Sequence, residues 1–206
     1  MKKIIFLYSQ AVMVVIFLVM ISAGCRGKTQ PVTFYTLSPI QEASDLINYK
    51  FEKVISIGVG PARLPDFLNK PQIATRNGSG KINYAEFHRW GGYLDKDFLR
   101  VMSENLSVLL STNQVLVYPW GRDRADPIFQ IEFDVKQFEG KLGDMAILNV
   151  IWTIRKKGHK PLMIRRSIIQ QPVSGDGNDA IVSAYSEAIG KLSREIALII
   201  ETITEQ

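Results

Sequence analysis

The sequence predicts an α+β domain, in which a mostly antiparallel sheet of six or more strands carries two long amphipathic helices packed on one face. Three observations lead to this class. Residues 127–140 alternate apolar and polar side chains, as a half-buried antiparallel strand does. Residues 93–112 and 181–203 instead repeat apolar side chains at helical spacing. Strand patterns and helical patterns therefore occupy separate stretches of the chain, which is typical of α+β proteins.

Short β-branched or aromatic stretches predict the earlier strands, at 33–37, 53–60, 72–76, 81–87 and 114–120. The stretch 61–71 contains three prolines, so we expect an ordered loop at the end of the second strand. The glycine-rich residues 77–80 predict a turn before the fourth strand.

The later strands have the clearest alternation. Phe129, Ile131, Phe133 and Val135 fall on one side of the strand over 127–140. Segments 144–158 and 160–172 repeat the pattern, so the three strands predict a meander.

The two helices each present one apolar face. The first face contains Leu94, Phe98, Val101, Met102, Leu106 and Leu109. The second face contains Ile181, Tyr185, Ala188, Ile189, Leu192, Ile196, Ile199, Ile200 and Ile203. Residues 174–179 supply glycines and an Asn or Asp that we expect to cap the second helix.

The N-terminus has the three parts of a secretory signal: two lysines, an apolar run over 4–21 and the small residues 22–24. Cys25, the one cysteine of the chain, follows directly. Small residues before a cysteine resemble the bacterial lipobox, although Ser22 stands where that motif usually has Leu. The resemblance implies acylation of Cys25 after cleavage of residues 1–24, a tether over 25–31 and a single domain over 32–206. It also implies that Arg26 directs the protein to the outer membrane. A transmembrane anchor and a plain signal peptide are the alternatives.

The composition and motifs argue against nucleic-acid binding, catalysis and metal binding. The formal net charge of +5 includes Lys2 and Lys3, and falls to +3 once the predicted signal is removed. The remaining basic residues are scattered, so the sequence predicts no nucleic-acid surface. No catalytic motif is present, and His88, which would share a strand face with Glu86, has no other His or Cys nearby, so we interpret it as a surface histidine. We therefore expect no enzyme, metal or cofactor.

A candidate partner surface lies at the proline-rich loop. The prolines restrict the backbone of the loop, so its apolar side chains are preorganised, which lowers the entropic cost of binding a partner. The alternative is that these side chains plug the end of the sheet. The candidate residues are Arg63, Leu64, Asp66, Phe67 and Leu68, with Arg76 and Trp90 beside them.

The order of "FYTL" (34–37), "IGVGPARLPDFLNKPQIATR" (57–76), "RWGGYLDKDFLRVMSENLSVLL" (89–110) and "VLVYPW" (115–120) resembles the PqiC-like lipoproteins. The resemblance covers nearly the whole chain after the cysteine. It implies a non-enzymatic periplasmic domain, anchored in outer-membrane lipid, that docks the tunnel protein of an MCE-type (mammalian cell entry) transport system with its inner-membrane subunits. The implied role is lipid movement between membranes in support of envelope integrity, and a homo-oligomer is left open. A stand-alone lipoprotein that binds a small apolar ligand or acts as an envelope enzyme is the alternative.

Overall fold

The computed structural model describes residues 12–14, 30–40, 55–78, 80–121 and 126–205. Cys25, Arg26 and most of the predicted signal therefore lie outside the described residues. The chain divides into two compact units, Met1–Pro31 and Val32–Gln206. In the part of the chain that the structure describes, no helix is both long enough and apolar enough to cross a membrane.

The described residues of the second unit form eight strands, two α-helices and a short 3-10 helix. The strands are β1 (Thr33–Tyr35), β2 (Ile57–Arg63), β3 (Gln72–Arg76), β4 (Ile82–Trp90), β5 (Val115–Val117), β6 (Phe129–Gly140), β7 (Met145–Lys156) and β8 (Pro161–Pro172). The helices are α1 (Leu94–Leu109) and α2 (Asn178–Thr204), and the 3-10 helix is Asp66–Leu68. The predicted α+β class is confirmed.

The expectation of one mostly antiparallel sheet is wrong. The strands form two mixed sheets, a three-stranded one in the order β1-β4-β3 and a five-stranded one in the order β5-β2-β6-β7-β8. β2 pairs in parallel with both β5 and β6, and β1 pairs in parallel with β4. Both edges of β2 are therefore occupied, and β3, the next strand along the chain, pairs antiparallel with β4 in the other sheet.

The meander of β6, β7 and β8 is confirmed, since both pairs are antiparallel and neighbouring. One face of these strands is buried against the helices. Ile131, Phe133 and Val135 are among its buried residues, as the alternation predicts. The predicted apolar faces of the helices are buried too, apart from Ile199 and Ile203 of α2, which are half-buried.

Aromatic side chains connect the two sheets within the core. The Phe98 ring of α1 meets Phe133 and Phe138 edge-on, with centroids 5.3 and 6.0 Å apart. Tyr185 of α2 packs against Phe138 at 5.0 Å and against Trp90, at the end of β4, at 6.3 Å. The end of β4 and the far end of β6 therefore share one core.

Two local predictions also need correction. β2 extends through Pro61 to Arg63, beyond the predicted start of the loop, because parallel pairing with β6 continues to Asp134. Helix α2 begins after Gly177, and no side chain caps it, so neither an Asn nor an Asp has the expected capping role.

Candidate docking surface

The proline-rich loop is held between β2 and β3 by local hydrogen bonds. The Leu68 N–H donates to the Pro65 carbonyl at 2.9 Å, and the Asn69 N–H donates to the Asp66 carbonyl at 3.1 Å, which closes the 3-10 helix. The Tyr84 hydroxyl of β4 donates to the Phe67 carbonyl at 3.0 Å. The loop backbone is thus fixed by contacts to itself and to the three-stranded sheet.

The structure separates the candidate side chains by burial. Leu68 and Trp90 are buried, with 3% and 5% exposure, and belong to the core. Leu64 and Phe67 are half-buried and pack against the same core. Arg63 and Asp66 are exposed. The loop therefore has residues that fit each interpretation. Its buried side chains plug the end of the sheet, and its exposed side chains are available to a partner.

Arg76 connects the loop to a buried carboxylate. Its Nε donates to Oε1 of Glu139 at 2.7 Å, and the Glu139 side chain is 1% exposed while that of Arg76 is 30% exposed. The second carboxylate oxygen accepts the Phe138 N–H at 3.0 Å. The guanidinium carbon also lies 5.8 Å from the centre of the Phe67 ring, within range of a cation–π contact. One arginine therefore neutralises a buried charge and contacts a half-buried aromatic ring.

Trp90 forms the floor of a groove beside the loop. The groove has a volume of about 350 Å³ and is lined by Leu68, Asn69, Lys70, Pro71 and residues 90–94. The Trp90 N–H donates to the Pro71 carbonyl at 2.7 Å, which ties the loop to the end of β4. Tyr93, at the rim, is 79% exposed. We use the name docking surface for Arg63, Leu64, Asp66, Phe67 and Arg76 with this groove.

Beneath the docking surface, Tyr185 is fully packed. Its hydroxyl donates to the Ala74 carbonyl of β3 at 3.3 Å. Burial, together with the negative charge of Glu139, raises the pKa of Tyr185 above its ordinary range. Tyr185 therefore stays neutral and acts as a structural support for β3.

His88 lies in β4, two residues before Trp90. It is half-buried, so the prediction of a surface histidine is wrong, and its Nδ1 is 2.9 Å from the Tyr35 hydroxyl of β1. Burial raises the pKa of Tyr35, and the nearby carboxylate of Asp179 raises it further. Within the described ranges, no three His, Cys, Asp or Glu side chains are grouped as metal ligands.

Sequence reasoning missed Glu139, Tyr93 and Tyr84. Glu139 follows a register shift between Val135 and Gln137, which interrupts the alternation and carries a charged residue into the core. Tyr93 adjoins Trp90 in "WGGY", an aromatic pair that could have indicated the groove. No local signal identifies Tyr84, because its contact with Phe67 joins two separate segments.

The chain matches one known protein family over most of its length. The model of the ABC-type transport auxiliary lipoprotein component matches residues 35–197. The chain belongs to this family. The match confirms the resemblance found in the sequence, and the protein is a membrane-anchored auxiliary lipoprotein of ABC-type transport in the bacterial envelope. No curated protein sequence matches the chain.

Two solved structures support the fold of this auxiliary lipoprotein. Protein XCC0632 from Xanthomonas campestris is 12% identical, with a TM-score of 0.67, and the match covers 84% of this chain and 100% of that one. A crystal structure described only as an uncharacterized protein is 21% identical, with a TM-score of 0.63 and coverage of 83% and 99%. A PelC dodecamer from Paraburkholderia phytofirmans is 10% identical at a TM-score of 0.40, covering 68% and 87%.

Proposed function

We propose that this auxiliary lipoprotein is a non-enzymatic outer-membrane subunit that docks the periplasmic tunnel protein of an MCE/ABC-type system for lipid transport between membranes. The motor of such a system lies in its inner-membrane subunits. The family match supports the transport role, and the resemblance to PqiC-like lipoproteins supports the tunnel protein as partner.

The observation that carries the proposal is the construction of the docking surface. Exposed Arg63 and Asp66 lie beside half-buried Phe67 on a backbone held by prolines, a 3-10 helix and Tyr84. An interface of this kind loses little conformational entropy when it binds. Aromatic and arginine side chains are also the residues that most often contribute large binding energies.

The anchoring steps belong to the same proposal. Residues 1–24 are removed as a signal, Cys25 is acylated, and residues 25–31 tether the periplasmic domain 32–206. Arg26, directly after the acylated cysteine, allows export to the outer membrane. These steps follow from the lipobox resemblance and agree with the lipoprotein family.

A second function has one observation in its favour. The groove beside Trp90 is lined mainly by apolar side chains, as a small-ligand site is. In that case the protein would bind an apolar ligand without a protein partner.

Pull-down of the full-length protein from crosslinked envelopes tests the two functions. We expect recovery of an MCE-type tunnel protein. Recovery of the protein alone, with an apolar small molecule bound and no tunnel protein, would contradict the docking function.

A further inference from the structure

The hairpin between β7 and β8 carries an unusual concentration of positive charge. Four of the six residues over 155–160 are Arg or Lys, and we call this segment the basic hairpin. The His159 N–H donates to the Lys156 carbonyl at 3.0 Å, and Gly158 has a φ of +77°, which favours glycine. All of these residues except Arg155 are exposed. A tight turn therefore holds several cationic side chains close together.

The positive charge is only partly neutralised. Arg155 pairs with Glu132 at 3.1 Å, and Lys157 pairs with Asp126 at 2.9 Å. Among the described residues, no carboxylate lies within ion-pair distance of Lys156 or Lys160. The basic hairpin thus has an excess of positive charge available to an anion.

A groove of about 360 Å³ separates the basic hairpin from Trp120 and Pro127. Trp120 packs closely on β2 because Gly58 has no side chain: a Cβ there would lie 2.6 Å from the Trp120 ring. The Tyr118 ring meets Trp120 edge-on at 5.3 Å. The groove therefore has a cationic side and an aromatic side.

Apolar side chains lie on the flanks of this site. Tyr118, Ile128 and Leu162 are 40%, 42% and 43% exposed. Cations beside exposed aromatic and aliphatic side chains are typical of surfaces that meet a bilayer, where the cations bind phosphates and the aromatics lie at headgroup depth. An acidic protein could pair with the lysines, but it has no acyl chains to cover the exposed apolar side chains. A bilayer offers both phosphates and acyl chains.

We propose that the basic hairpin, with Trp120, binds the phosphate headgroups of anionic phospholipids. The site and the docking surface lie at opposite ends of β2. At one end, Ile57 is paired with Phe129 of β6, which is paired in turn with Lys156 of the basic hairpin. At the other end, Arg63 of the docking surface is paired with Asp134. Lipid binding here needs neither the docking surface nor the function proposed for it, so either can fail without the other.

Trp120 provides a direct readout, because the other two tryptophans, Trp90 and Trp152, are buried. The full-length protein in nonionic detergent is titrated with dihexanoyl phosphatidylglycerol, and with dihexanoyl phosphatidylcholine as the neutral comparison. We expect the Trp120 emission to shift with the anionic lipid at a lower concentration than with the neutral lipid. The difference should shrink at high salt, because the attraction is electrostatic.

Charge variants test the assignment. Lys156→Glu/Lys160→Glu should weaken apparent phosphatidylglycerol affinity by at least about thirtyfold, since each basic residue near an anionic surface contributes about 1 kcal/mol and the new carboxylates repel the lipid. Lys81→Glu/Lys191→Glu, the same charge change at exposed positions outside both grooves, should alter it by less than about twofold. If charge reversal disrupts folding, Lys156→Gln/Lys160→Gln takes its place, with an expected loss of about thirtyfold, because the two lysines together contribute about 2 kcal/mol.

Four results would overturn the proposal. Equal affinity for the two lipids, or equal losses in the hairpin and control variants, would exclude headgroup recognition by the hairpin. Saturation by inorganic phosphate at the same concentration as the lipid would indicate a free-phosphate site. Tighter binding of polyglutamate than of phosphatidylglycerol would indicate an acidic protein partner.

Discussion

The ion pair between Arg76 and Glu139 supports the docking surface from beneath, and its removal gives a sharp test of the structure. In Arg76→Met the aliphatic stem is kept while the charge is lost. Glu139 then keeps one hydrogen bond, from the Phe138 N–H, but has no counter-ion. A buried charge left without its partner costs about 3–5 kcal/mol. For a domain of this size, that loss lowers the melting temperature by about 6–20 °C.

A double-mutant cycle separates the ion pair from general damage. Glu139→Gln removes the buried charge, so Arg76→Met/Glu139→Gln should recover at least about 1 kcal/mol of the stability lost in Arg76→Met. Arg63→Met is the matched control, because Arg63 is exposed and should change the free energy of unfolding by less than about 0.5 kcal/mol. Urea titrations of these variants and the wild type measure the differences.

The reasoning is refuted if Arg76→Met is as stable as the wild type. It is also refuted if the double variant is no more stable than Arg76→Met, because the loss would then not come from the unpaired carboxylate.

Three further predictions concern the loop and the anchor. Leu68→Ala should lower the free energy of unfolding by about 2–5 kcal/mol, because it empties a buried site; a loss below about 1 kcal/mol in urea titration would place Leu68 outside the core. Cys25→Ser should abolish palmitate labelling, and continued labelling would exclude acylation at this residue. Arg26→Asp should move the protein to inner-membrane fractions in a sucrose gradient, and an unchanged distribution would show that Arg26 does not control sorting.

Helices and long strands could be predicted because their burial pattern is local. Phe98 and Leu106 both lie on the buried face of α1, as their helical spacing predicts. In β6, every second residue from Phe129 to Val135 is buried. Such periodicity follows from the geometry of one element alone.

The division into two sheets could not be predicted in the same way. Parallel pairing of β2 with β6 joins Ile57 to Phe129, and nothing in either strand specifies that partner. Periodicity gives the exposed and buried faces of a strand but not its neighbour.

The docking surface shows the same limit at the level of single side chains. The loop sequence contains Leu64, Phe67 and Leu68 within five residues, and only the tertiary contacts decide that Leu68 is buried while the other two are half-buried. Trp90, beside Arg89, likewise has the sequence context of an interface residue, but its contact with Tyr185 places it in the core.

The most direct test of the docking function is Asp66→Arg. Asp66 is exposed, so the variant should melt within about 2 °C of the wild type. Pull-down from crosslinked envelopes should recover at least about tenfold less MCE-type tunnel protein, since loss of an interface hot spot costs about 2 kcal/mol. Asp144→Arg, on the exposed turn between β6 and β7, is the matched control and should leave recovery unchanged. Normal recovery of the tunnel protein with folded Asp66→Arg would contradict the docking function.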